Sequence, residues 1–245
     1  MTMCLVCSLS VPAFAGTVFV PNSSFEMPPV EISRKNPFGA LPFIDVWDET
    51  DIGPGDEMDQ NTGVFRNVPP RSAGHIENAH LDRLAFISSL IGNDIRQALP
   101  VDFVPGEAYA LTVGVATSLT FPVGSSEQLE IALFYFDGGS EQIVASTFVS
   151  GSQVNSTSLV DVTVNLPAVD PGDPWAGEPV GILIRPAITD PDDLTGEGFW
   201  DVDNVRLDGP AAVPAASTWG MIGMGAGVLA LGAAAIRRRG ASGAV

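Results

Sequence analysis

The stretch VDVTVNL, Val160–Leu166, decides the fold. Val160, Val162, Val164 and Leu166 alternate with Asp161, Thr163 and Asn165, and a period of two puts apolar side chains on one face of an extended strand. ALTVGV at 110–115 repeats the habit with Leu111, Val113 and Val115, and LEIALFYF at 129–136 does so with Leu129, Ile131, Leu133 and Tyr135. Turn residues follow these runs, in VPGE at 104–107, FDGGS at 136–140 and VDPGDP at 169–174, where Gly and Pro supply the backbone angles a reversal needs. Short strands at such spacing predict an all-β chain, a β-sandwich of the jelly-roll kind. The segment 78–100, NAHLDRLAFISSLIGNDIRQALP, has the apolar count of a helix. Gly92, Asn93 and Asp94 break any helical stripe, so it reads as two strands, at 84–88 and 95–99, turned by IGND.

Working outward, the region 45–70 is acidic, rich in Gly and Pro and poor in alternation. It is expected to be a long loop, the usual seat of binding residues on a β scaffold. The chain has 245 residues, 11 Lys and Arg against 29 Asp and Glu, and a formal charge of −18. Without Arg237, Arg238 and Arg239 the balance is 8 basic against 29 acidic residues, or −21. Such a surface repels nucleic acid and anionic lipid and favours divalent cations.

The two ends carry address signals. MTMCLVCSLSVPAFAG is apolar and ends in Ala13, Phe14 and Ala15, the small-x-small pattern cut by a signal peptidase. It has no basic n-region, so residues 1–15 read as a truncated signal peptide whose true start lies upstream. Cys4 and Cys7, the only cysteines, fall inside it, which leaves the mature chain without disulfides. Residues 219–236 form an 18-residue run without charge, about 27 Å of helix and enough to span a bilayer. Trp219 stands at one end and the arginines 237–239 at the other, an orientation that places the acidic domain outside by the positive-inside rule. The expected organisation is a signal peptide at 1–15, a β jelly roll at 16–209, a linker with a sorting motif at 210–218, a transmembrane helix at 219–236 and a basic cytoplasmic tail at 237–245.

The tail VPAASTWG, its Gly/Ala/Leu span and RRR resemble the PEP-CTERM sorting signal of exported proteins in exopolysaccharide-producing bacteria. Val213 and Pro214 match that signal, and Ala215 and Ala216 stand where Glu and a second Pro are expected. The resemblance implies an exosortase-type processing enzyme as a partner. PNSSFEMP near the start and GFWDVDNVRLDG near the end resemble the opening and closing of galactose-binding-like jelly rolls, the fold of many carbohydrate-binding modules. Asn22, Phe25 and Glu26 match the opening, and Asp203, Asn204 and Val205 the closing. That resemblance implies that the first and last strands lie together, with a structural calcium near them.

The last strand gives its own reason to consider Asp203. Period two puts Phe199, Asp201, Asp203, Val205 and Leu207 on one face and Trp200, Val202, Asn204 and Arg206 on the other. If Phe199, Val205 and Leu207 face inward, Asp203 is carried towards the core, where a carboxylate must be paired, protonated or bound to metal. The expected ligands of a Ca2+ ion are Glu26 and Asp203, with Asp201 and backbone carbonyls; an Asp203 that hydrogen-bonds backbone or pairs with an arginine is the alternative. Catalytic motifs are missing: there is no G-x-S-x-G elbow, no phosphate-cradling glycine loop and no H-E-x-x-H. His75 and His80 are the only histidines and read as loop or strand-edge residues without a ligand role. DPDDLTGEG at 190–198 reads as a solvated turn.

The function expected from these signals is that of a non-catalytic, exported protein of the cell envelope or matrix, associating with extracellular polysaccharide. A secreted polysaccharide hydrolase or lyase and a ligand-free matrix protein are the alternatives. Trp47, Trp175 and Trp200 are the expected sugar-stacking residues; tryptophans buried in the core favour the ligand-free reading.

Overall fold

The computed structural model describes residues 15–30, 39–50, 61–187 and 198–210. The chain divides into two units, Met1–Ala211 and Ala212–Val245, and the second lies wholly outside the described residues. So do the sorting residues Val213, Pro214, Arg237, Arg238 and Arg239, residues 1–14 of the signal peptide, the helix expected at 219–236 and most of the 190–198 turn. Among the described residues no helix is long and apolar enough to cross a membrane.

The described chain is a β-sandwich of twelve strands. They are β1 (Ala15–Val18), β2 (Ala40–Leu41), β3 (Asp48–Thr50), β4 (Thr62–Arg66), β5 (Arg83–Ser88), β6 (Asp94–Asp102), β7 (Tyr109–Thr117), β8 (Gln128–Asp137), β9 (Ser140–Ser150), β10 (Val160–Leu166), β11 (Pro179–Pro186) and β12 (Phe199–Pro210). One sheet has the order β10-β7-β12-β5-β4-β2, with β1 paired to the far end of β12; the other has the order β3-β6-β11-β8-β9. All named strand pairs are antiparallel. The alternating residues do what their period predicts: Leu111, Val113, Val115, Leu129, Ile131, Leu133, Tyr135 and Val164 all lie in the one large core between the sheets. The two strands read at 84–88 and 95–99 are present as β5 and β6, and the turn between them crosses from one sheet to the other.

Two sequence expectations need correction. The region 45–70 is not one long loop, because it contains β3 and β4. β3 is an edge strand whose acidic residues face partners across it, Asp48 opposite Arg96 and Glu49 opposite Ile95, and charge is what a sheet edge tolerates. The second concerns the phase of β12. Its pairing with β7 shifts register between Asp203 and Arg206, and Asn204 there has φ 54°. This bulge reverses the faces of the strand. Trp200 and Val202 point into the core before it, Val205 and Leu207 after it. Phe199, Asp201 and Asp203 therefore lie on the outer face of the first sheet, opposite to the inward phase that simple alternation gives.

The first and last strands close the sandwich together, with Thr17 opposite Asp208 and Val18 opposite Leu207. Gly181 on β11 shows how tight the second sheet is: a Cβ there would overlap the ring of Phe134, itself fully buried beside Leu183 and Ala132. Gly181→Ala should cost about 1–3 kcal/mol through overpacking, read as a lower midpoint in denaturant unfolding.

Candidate active site

Outward-facing residues of four neighbouring strands build the site. A row across the first sheet runs Gly63 on β4, Phe86 on β5, Asp201 on β12 and Ala116 on β7, each opposite the next. Gly63 makes room for the ring: a Cβ there would stand 2.8 Å from Phe86 Cζ. Phe199 lies two residues before Asp201 on the same face. The rings of Phe65 and Phe86 are 6.4 Å apart, those of Phe86 and Phe199 5.8 Å apart and edge to face, and those of Phe121 and Phe199 6.1 Å apart. Four phenylalanines thus form a continuous aromatic wall.

Two loops raise the sides. Residues 118–121 carry Ser118, Leu119, Thr120 and Phe121, and the loop after β4 carries Val68, Ala73, Gly74 and Ile76. Ser118 N donates to Phe199 O at 2.9 Å, and Phe199 N to Phe121 O at 2.9 Å, which fixes the first loop to β12. The resulting cavity has a volume of about 560 Å³, and among the described residues lining it Asp201 is the only acidic one. Arg66 is at its boundary, 3.9 Å from Asp82 in an exposed ion pair.

Asp201 is 4% exposed, and its carboxyl is pushed up to about 8 by loss of hydration. At neutral pH it is an uncharged acid in an aromatic cavity, a proton donor rather than an anion.

The other expected metal ligands lie elsewhere on the same face. Asp203 is fully buried; its Oδ2 accepts from His80 N at 2.5 Å and its Oδ1 from Asn204 N at 2.6 Å. Burial raises it to about 8, the two N–H donors pull it down and the Glu26 charge adds to the rise. Glu26 accepts from Asp82 N at 2.9 Å and Arg83 N at 3.0 Å, and pairs with the Arg83 guanidinium at 2.8 Å. Glu26 and Asp203 therefore hold the same segment, 80–83, Asp203 at His80 and Glu26 at Asp82 and Arg83. Asp201 is separate from that pair and faces the cavity. Among the described residues no group of three or more His, Cys, Asp or Glu side chains converges as a metal site.

The tryptophans are not a stacking surface. Trp200 and Trp47 belong to the core, Trp47 with its ring 5.3 Å from Phe25 and its Nε1 donating to Asn22 O at 3.2 Å, and Trp175 is packed against that core. The meeting of the cavity phenylalanines is not legible in the sequence, because they come from distant segments, and the loop expected around His75 carries no sign there of walling a cavity. The one local sign was Phe199 and Asp201 sharing a strand face.

Comparison with curated proteins finds no match. Solved structures similar to this chain are cyclases from Fischerella. One, a cyclase from Fischerella sp. TAU in complex with 4-(1H-indol-3-yl)butan-2-one, has 22% identity and a TM-score of 0.62 over 81% of this chain and 100% of its own. The Stig cyclase Fisc from the same source, in complex with (3Z)-3-(1-methyl-2-pyrrolidinylidene)-3H-indole, has 24% identity and a TM-score of 0.61 over 80% and 99%. The apo form of a cyclase from Fischerella sp. has 23% identity and a TM-score of 0.61 over 81% and 98%. At these identities the likeness establishes the fold. The profile of the HpiC1-like family, described as HpiC1 cyclase, matches residues 16–208. That match, which takes in nearly all of the described strands, overturns the PEP-CTERM and carbohydrate-binding resemblances as a guide to this protein. With them go the non-catalytic role and the polysaccharide and exosortase partners drawn from them. By its sequence over residues 16–208, the chain belongs to the HpiC1-like cyclase family.

Proposed function

We propose that this protein is a cyclase that closes a ring on an electron-rich aromatic substrate by proton transfer from Asp201. The observation that carries the reading is the position of Asp201, the only acid among the described residues lining a cavity walled by Phe65, Phe86, Phe121 and Phe199. A neutral carboxyl in such a place donates its proton to a π bond or heteroatom of the substrate and becomes a carboxylate. The substrate becomes a cation, which the negative faces of the neighbouring rings stabilise. A second π bond of the substrate attacks the cationic centre and forms the ring bond. Loss of a proton to the Asp201 carboxylate restores acid and neutral product. Atoms and electrons balance without oxidant or reductant, so product and substrate are isomers. About 560 Å³ suits a molecule of drug size, and the indoles bound by the Fischerella cyclases make an indole bearing an unsaturated side chain the substrate class to test. Incubation with such indoles should yield a new cyclic product of unchanged mass. Recovery of every candidate unaltered would remove the reading.

A structural calcium ion, where bound, would be held by Glu26 and Asp203 and would supply a cross-link between the first segment and the last strand. Support comes from the two carboxyls holding the same 80–83 segment, Asp203 through His80 N and Glu26 through Asp82 N and Arg83 N. An ion bound only by the folded chain stabilises it by about 2.7 kcal/mol at a hundredfold excess over its Kd. Melting with calcium should exceed melting with chelator by several degrees, and Asp203→Ala should abolish the difference. Equal melting temperatures would leave Asp203 a carboxyl held by backbone N–H groups alone.

A further inference from the structure

Four residues lining the cavity, Val68, Ala73, Gly74 and Ile76, come from the single loop between β4 and β5. Its far end is tied down, Glu77 N donating to Thr157 O at 2.8 Å and Leu159 N to Glu77 O at 3.0 Å, but the stretch 68–75 has few backbone bonds. Pro69 and Pro70 have no N–H, and Arg71 and Gly74 have φ of 70° and 86°. Its internal bonds are Ser72 N to Pro69 O at 3.0 Å and His75 N to Ser72 O at 3.2 Å. Two side chains close it. At the base, the buried Asn67 amide donates to Ile76 O at 2.9 Å and accepts from Ile76 N at 3.0 Å. Across the loop, His75 Nδ1 lies 2.6 Å from Val68 O, while its Nε2 is 3.8 Å from the exposed Glu77. A carbonyl only accepts, so Nδ1 carries the proton, and it does so in both the neutral Nδ1–H tautomer and the imidazolium. On the far side the loop meets the other wall, where a Cβ at Gly74 would stand 3.3 Å from Leu119 Cδ2.

We propose that His75 is a positioning residue for the substrate: its Nδ1–H, donated to Val68 O, latches the 68–75 loop as the cavity wall facing Leu119. This rests on the cavity being the substrate site. His75 does not line the cavity and takes no part in proton transfer; it acts through Val68, Ala73 and Gly74. Because either charge state of the ring donates from Nδ1, the latch holds across the neutral pH range.

The test uses an isosteric pair and the full chain. In His75→Asn the side-chain amide places an N–H near the Nδ1 position, and in His75→Asp a carboxylate places only acceptors there, facing the Val68 carbonyl. The probe is 4-(1H-indol-3-yl)butan-2-one, with binding measured by calorimetry. His75→Asn should bind within about twofold of wild type and His75→Asp at least about tenfold more weakly, the effect of replacing a hydrogen bond by two opposed acceptors. Turnover of Asp201→Asn reports on the acid and probe binding by the two His75 variants reports on the latch, so a failure of the acid appears in turnover and a failure of the latch in binding. Undiminished binding by His75→Asp would overturn the proposal. So would equal weakening in both variants, which marks a merely structural ring, and so would a wild-type protein that does not bind the probe, which removes the cavity as well.

Discussion

Asp201→Asn should lower turnover by about 10² to 10⁴, the contribution of a positioned acid to a proton-transfer step, without lowering the stability of the fold. The substitution keeps the shape of the side chain and removes only the acidic proton. Its neighbours on the sheet, Phe86 and Ala116, make no demand on that proton. In the unfolded chain the carboxyl ionises from its ordinary value of 3.8, and burial holds it protonated to about 8, so at neutral pH the native protein carries the cost of keeping an acid un-ionised. A neutral amide escapes that cost. Measured side by side, turnover should collapse while the melting temperature holds or rises. A variant with turnover within about threefold of wild type would exclude Asp201 as the proton donor, because no general acid of this class contributes so little.

The second large effect is on pH. A donor that titrates near 8 gives a kcat/KM that is flat below that value and falls about tenfold per pH unit above it. Stability runs in the same direction. For Asp201 the folded value, about 8, lies above the ordinary 3.8. Its stabilising contribution is fully present below pH 4 and is lost as the pH rises towards 8, at up to about 1.4 kcal/mol per pH unit. The denaturant midpoint should therefore fall between pH 5 and pH 8. The fall in Asp201→Asn should be shallower by the share of one proton. A wild-type slope no steeper than that of Asp201→Asn would show Asp201 to be ionised in the native state.

Much of the fold was legible because strand alternation is a local signal. VDVTVNL is β10 residue for residue, and the inward faces of β7 and β8 were readable from their own letters. What failed was non-local. Plain alternation carried Asp203 inward together with Val205, but the bulge at Asn204, with φ 54°, turns the strand over between them. Asp203 is buried all the same, by the backbone of His80 and the segment holding Glu26, segments that no periodicity on β12 could reveal. The cavity was hidden for a similar reason: Phe65, Phe86, Phe121 and Phe199 lie on separate segments and meet only when β4, β5 and β12 are laid in register.

The resemblance of NSSFE and DVDNV to carbohydrate-binding modules misled for a structural reason. Asn22 bonds Met27 O and Asp45 O, Phe25 fills the core, and Val205 N donates to Ser23 O. These residues join the first segment to the last, which any sandwich of this kind needs whatever it binds. The aromatic cavity lies instead on the outer face of the first sheet, where the tryptophans expected to stack on sugar do not reach.

Whether this cavity presents a polarisable aromatic molecule to Asp201 is visible in a crystal structure with 4-(1H-indol-3-yl)butan-2-one. The indole ring should lie against Phe86 and Phe199, with a polar atom of the ligand within about 3.2 Å of the Asp201 carboxyl, the reach of a proton-transferring hydrogen bond. A ligand seated anywhere else, with Asp201 facing an empty cavity, would contradict it.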